Sequence, residues 1–281
     1  MPNTNRTDAQ LPQGWELISN GCVTDKDKDK DKDKDKDVVL ALDFAAVGRP
    51  EACFSDLVSM LDPPRETWAA RQPPAGTGVE VTAGAYLQYW SEGLRESGRE
   101  IRAVLGFCAG AVFAVALAGQ IARWQARAPV IALLDPEPPT VVTLLRQFDQ
   151  AMRGLAAVAS DAEFASVREA AAGLRDAGNL PWLAAELGSL YREASRPAFE
   201  RIGLKPDFQA DLVTSFESLM SYLVAAGDAG ATDGWGSATA IVSATPVFEP
   251  AGVARRVCAD VDHAGLLRSA AVAQLVSELL G

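Results

Sequence analysis

Apolar positions in this 281-residue chain fall into short continuous runs separated by longer stretches of helical spacing. Trp-Glu-Leu-Ile-Ser at 15–19 and Val-Val-Leu-Ala-Leu at 38–42 read as neighbouring strands, the second of the fully buried type. A helix is expected over 50–61, a short strand over 78–81 and an amphipathic helix over 83–97. A strand follows at 101–105, a helix at 111–127 and a strand at 130–134. This alternation predicts an α/β fold with a mostly parallel central sheet flanked by helices. From 141 to 226 no strand signal occurs, only helical segments broken at Gly178-Asn179-Leu180-Pro181 and Arg196-Pro197. That stretch is expected to be a helical lid insertion and a following helix. The strand type resumes at 238–244, and helical spacing closes the chain over 263–280. The expectation is therefore one α/β domain spanning 1–281.

Residues 25–37 alternate Asp and Lys. Their charges nearly cancel and nothing there is apolar, so the segment is expected to be a disordered surface loop joining the first two strands, which costs little extra closure entropy. The hydrophobic fraction of 48% is ample for a core, and the net charge of −11 disfavours nucleic acid as a partner. The apolar run 103–119 is short and glycine-interrupted, which predicts a strand, a turn and a helix rather than a membrane span. Residues 1–13 have no apolar core of a signal peptide. The expected location is cytoplasmic, with Cys22, Cys53, Cys108 and Cys258 as free thiols. With a single histidine and no ligand spacing among the cysteines, no metal site and no bound cofactor are expected.

Three segments carry candidate chemistry. Gly106-Phe107-Cys108-Ala109-Gly110 places a cysteine where a nucleophile elbow holds its nucleophile, between an expected strand and an expected helix. Asp135 ends the adjacent strand, in Leu133-Leu-Asp-Pro-Glu-Pro-Pro139, at the carboxyl edge where open α/β sheets gather functional groups. His263, the chain's one histidine, lies in Asp262-His-Ala-Gly-Leu-Leu267 before the last helix. The order nucleophile, acid, histidine is that of the α/β-hydrolase arrangement. Taken singly, each segment also fits a plainer role: a small buried thiol, a turn aspartate before prolines, an exposed capping histidine. Glu249, after the strand at 238–244, is an alternative acid.

Together these segments resemble the thioesterase domains that unload polyketide synthases and nonribosomal peptide synthetases, from about Trp15 to the C-terminus. The resemblance implies an α/β-hydrolase fold and a Cys108–His263–Asp135 triad, with cysteine where that family has serine. It implies an oxyanion hole from the Ala109 N–H and that of Ala45 or Ala46. It further implies an acyl or peptidyl carrier protein as partner, delivering a polyketide or peptidyl acyl chain on its phosphopantetheine arm. Cys108 would take the acyl group, His263 would accept or share the thiol proton, and release would follow by cyclisation, aminolysis or hydrolysis. Trp182, Tyr191 and Phe199 in the expected lid are candidate substrate-binding aromatics. The alternatives are a proofreading thioesterase that hydrolyses stalled chains, a cysteine hydrolase acting on small lactones, and a non-catalytic binding module. Oligomeric state is open.

Overall fold

Among the described residues, seven strands form one sheet in the order β1-β3-β2-β4-β5-β6-β7. The computed structural model describes residues 11–21, 37–44, 51–74, 81–155, 161–176, 178–229 and 234–281. The strands are β1 (Trp15–Asn20), β2 (Asp37–Leu42), β3 (Glu66–Ala70), β4 (Glu100–Phe107), β5 (Val130–Leu134), β6 (Thr239–Val242) and β7 (Arg255–Cys258). Of these strands only β1 runs antiparallel, against β3; every other neighbouring pair among them is parallel. The expected mostly parallel sheet is present, with two strands that the apolar pattern did not announce. Glu-Thr-Trp-Ala-Ala in β3 has neither alternation nor β-branched enrichment, and Arg-Arg-Val-Cys in β7 is a largely exposed edge. β3 lies between β1 and β2, so the strands around 15–19 and 38–42 are not neighbours. Of the short strand expected over 78–81, residues 78–80 lie outside the described residues and Val81 is in a bend. Residues 25–36 of the Asp/Lys segment also lie outside them, and Asp37 opens β2.

The central strands are apolar because both faces are covered. Val39, Ala41, Leu105, Leu134 and Ile241 pack with Phe54, Leu57, Val272 and Val276 of α1 (Phe54–Val58) and α8 (Ala270–Leu280). Leu40, Leu42, Val104 and Leu133 face the other side, beneath α2 (Ala83–Ser91) and α3 (Gly110–Ile121). The expected helices are shorter than their apolar spacing. α2 ends where Glu92 turns extended and Gly93 takes a φ of 77°.

Between β5 and β6 come α4 (Val141–Arg153), α5 (Asp161–Ala172), α6 (Leu180–Arg201) and α7 (Pro206–Asp228). Breakers in the sequence mark their starts: Thr140 caps α4, Asn179 caps α6, and Pro206 opens α7. An aromatic cluster of Tyr86, Trp90, Phe113 and Tyr222 fastens α7 to α2 and α3. The Asp228 carboxylate also accepts the Ala83 N–H at 3.1 Å. Among the described residues no helix is long and apolar enough to cross a membrane.

Candidate active site

Register sets the site. Leu42 pairs with Gly106, Phe107 with Leu134, and Leu134 with Ile241, so these parallel strands end together at one edge. Cys108 and Asp135 are the first residues past β4 and β5. Their N–H groups continue the ladder, to the carbonyls of Leu134 (3.0 Å) and Ile241 (2.9 Å). Both then turn sharply, with φ of 51° at Cys108 and 41° at Asp135. Among the described residues they alone have positive φ without being glycine. Such backbone is costly for a residue with a Cβ and concentrates where a side chain must be held in a special direction.

The elbow's glycines are steric requirements. A Cβ on Gly106 would lie 2.5 Å from the Cα of Ala111, and one on Gly110 would lie 2.1 Å from the Leu42 carbonyl oxygen. Strand, turn and α3 are thus packed backbone to backbone. Cys108 stands at the N-terminal end of α3, where the helix dipole and the Ala109 N–H favour a thiolate. They are outweighed: burial first, and the nearby Glu137 carboxylate next, push the thiol's pKa well above its ordinary value.

His263 reaches the same edge from the loop between β7 and α8. Its Nδ1 lies 2.8 Å from the Asp135 Oδ2, and its ring stacks on Phe107 with centroids 4.8 Å apart. Asp135's other oxygen accepts the Ser243 N–H at 2.7 Å. Burial alone would raise the Asp135 carboxyl; the hydrogen bonds from His263 and Ser243 overcome this and hold its pKa below the usual value. A buried carboxylate on Nδ1 fixes the ring and leaves Nε2 as the nitrogen available for proton exchange.

Cys108 and His263 line one pocket with Asp43, Phe44, Ala109 and Glu51; Leu219 and Leu223 of α7 lie opposite. Its free volume is about 60 Å³, far below the roughly 300–1,000 Å³ of a site that swallows a ligand whole. It has room for a reacting group. A larger cavity of about 610 Å³ lies between α4 and α5, lined by Val141, Leu145, Phe148, Ala171 and Arg175, and touches neither Cys108 nor His263.

The structure brings Cys108, Asp135, His263 and Ala109 together. Ala45 and Ala46 lie outside the described residues. The alternative acid, Glu249, is exposed and paired with Arg256 at 3.1 Å on β7, so its carboxylate is committed away from His263. The three expected substrate-binding aromatics are elsewhere. Tyr191 is buried and stacked on Phe216 at 4.3 Å, Phe199 is buried, and Trp182 is exposed in the first turn of α6. The first two are held by packing among the helices themselves. The residue that sequence reasoning missed is Glu137, buried two positions after Asp135 with an oxygen 3.8 Å from the Cys108 sulfur. A second acid between prolines was visible but carried no motif. Leu219 and Leu223 share a face by their i,i+4 spacing, as many core leucines do.

No family model matches the chain, and no curated protein does. Solved structures are similar to it. The Vlm2 thioesterase domain with genetically encoded 2,3-diaminopropionic acid, bound with a dodecadepsipeptide, aligns over 89% of this chain and 95% of its own. The identity is 17% and the TM-score 0.51. The NocB thioesterase domain, in covalent complex with a fluorophosphonate nocardicin G analog, aligns over 87% of this chain and 94% of its own. There the identity is 16% and the TM-score 0.51. At such identities the likeness is one of fold, and the fold is that of the α/β hydrolases.

Proposed function

We propose that this protein is a thioesterase-type acyl transferase with a Cys108–His263–Asp135 triad. Its donor is a polyketide or peptidyl thioester on the phosphopantetheine arm of a carrier protein. The observation that carries the reading is the meeting, in one pocket, of an elbow thiol with an imidazole whose far nitrogen is bonded to a buried carboxylate. The fold shared with two thioesterase domains supports it.

The chemistry runs in two steps. Cys108 Sγ attacks the thioester carbonyl while its proton passes to His263 Nε2, Asp135 stabilising the resulting imidazolium. The Ala109 N–H supports the oxyanion, and the proton then leaves with the departing thiol. A second nucleophile, activated by the same imidazole, resolves the acyl-enzyme. Because the enzyme-bound intermediate is itself a thioester, the first exchange is nearly neutral in energy and the carbonyl stays activated. Thioesters undergo aminolysis far more readily than oxoesters, so release by an amine, ring closure included, is favoured over hydrolysis.

Incubation with acyl-pantetheine thioesters followed by intact-mass analysis tests this directly. The expected result is a covalent gain of one acyl group, absent in Cys108→Ala. No adduct and no thiol release across a panel of acyl chains would overturn the reading in favour of a binding module. Complete release to water, even with a competing amine present, would favour proofreading hydrolysis.

A further inference from the structure

Besides the imidazole of the triad, the Cys108 thiol has the Glu137 carboxylate within hydrogen-bonding reach, 3.8 Å from its sulfur. Glu137 leaves β5 two residues beyond Asp135, and its N–H donates to the Cys108 carbonyl at 3.2 Å. Backbone hydrogen bonding thus ties the segment bearing the carboxylate to the elbow itself. The side chain is buried and fully engaged. One Arg146 Nη lies 2.7 and 2.6 Å from its two oxygens, the Thr143 hydroxyl donates to Oε1 at 2.9 Å, and the Cys108 Sγ lies 3.8 Å from Oε2. Both supporting residues come from α4, on the face of its first two turns. The arginine and the hydroxyl offset the cost of burying this carboxylate and fix its oxygens beside the sulfur. The one partner in the set that carries no formal charge and can titrate is the thiol.

We propose that Glu137, held by Arg146 and Thr143, is a positioning residue that receives the Cys108 S–H hydrogen bond and keeps the sulfur neutral in the resting protein. The proposal rests on Cys108 being the nucleophile. The charge balance around the sulfur agrees with it. Glu137 stands against the sulfur, Asp43 and Glu51 line its pocket, Arg146 is the cation paired with Glu137, and His263 is tied through Nδ1 to Asp135. Burial and the Glu137 charge both raise the thiol's pKa. The step consumes nothing. At rest the proton stays on Sγ and points at Oε2. When an acyl thioester arrives, the S–C bond forms, the proton goes to His263 Nε2 and on to the departing thiol, and Glu137 is left unprotonated as it began. A thiol parked this way is slow toward alkylating and oxidising agents in the absence of substrate.

The test is the pH profile of iodoacetamide alkylation at Cys108, resolved peptide by peptide so that Cys22, Cys53 and Cys258 do not contribute. In the wild type the midpoint is expected above that of an unperturbed thiol, about 8.5; a midpoint at or below that value overturns the proposal. Glu137→Gln should move the profile down by about one unit, so that alkylation at neutral pH is roughly tenfold faster. Arg146→Gln, which leaves the Glu137 charge uncompensated, should move it up. Should Glu137→Gln fail to fold, as a thermal melt will show, Arg146→Gln decides the matter. Profiles that coincide with wild type, or move the other way, overturn the role given to Glu137. This readout needs no acyl donor. A chain that never acylates would sink the thioesterase reading while the profile stands, and intact acylation with unmoved profiles would sink Glu137 alone.

Discussion

Cys108 and Asp135 owe their placement to backbone that side chains disfavour, and to two glycines that make room for it. Gly110→Ala would press a methyl group into the Leu42 carbonyl, which belongs to a fully buried strand and cannot yield. The expected loss is roughly 1–3 kcal/mol, measurable by urea unfolding; a loss below about 1 kcal/mol would mean the elbow relaxes where the packing says it should not. Chemistry at the same turn depends on the sulfur. Cys108→Ser should retain some turnover but shift products from amine toward water, because the intermediate becomes an oxoester; unchanged partitioning would count against the reason given for cysteine. Much of this was legible in sequence, since the spacing Gly106, Cys108, Gly110 encodes the steric demand. Glu137 was not, because nothing local distinguishes a carboxylate that will be buried by an arginine nine residues on.

Elements were legible in proportion to how completely they are covered. β2 and β5 are buried on both faces and read as apolar runs, β4 as one interrupted at Arg102, whereas β3 and β7 are specified by their pairing partners rather than by their own composition. The same logic explains the aromatics. Tyr191 and Phe199 sit on a helix that packs against α7, so their apolar spacing reported helix-on-helix burial rather than a chamber wall. The wall opposite Cys108 is the Leu219–Leu223 face of α7. Leu219 is partly exposed there, so a larger side chain can be accommodated by narrowing the pocket. Leu219→Trp should slow Cys108 acylation by pantetheine thioesters about tenfold or more while leaving iodoacetamide alkylation nearly unchanged. Trp182→Ala, at an exposed turn of α6, should leave both unchanged. Equal effects of the two substitutions on acylation would return the substrate wall to α6.

Across the whole molecule, the sheet converts separation along the chain into proximity: Asp135 and His263 are 128 residues apart and share a hydrogen bond. Their bond therefore belongs to the folded state alone, and it links folding to pH. The Asp135 carboxyl titrates below its ordinary value when folded. Between the folded value and about 3.9, the unfolded chain binds more protons than the native one. Its contribution to stability is thus complete above about pH 4 and is lost as pH falls through the folded value. The Cys108 thiol is raised, which gives the opposite sign: its contribution is complete below about pH 8.5 and is lost as pH climbs above it. Asp135→Asn should cost roughly 1–3 kcal/mol at pH 7, with a gap from wild type that narrows below pH 4. Cys108→Ala should flatten the decline in stability above pH 8.5 without changing the acid limb. Urea unfolding at pH 3.5, 7 and 9.5 separates the two. A gap for Asp135→Asn that is the same at pH 3.5 and 7 would mean that the carboxylate is not what holds the imidazole in place. The edge of the sheet would then bring these residues together without coupling them.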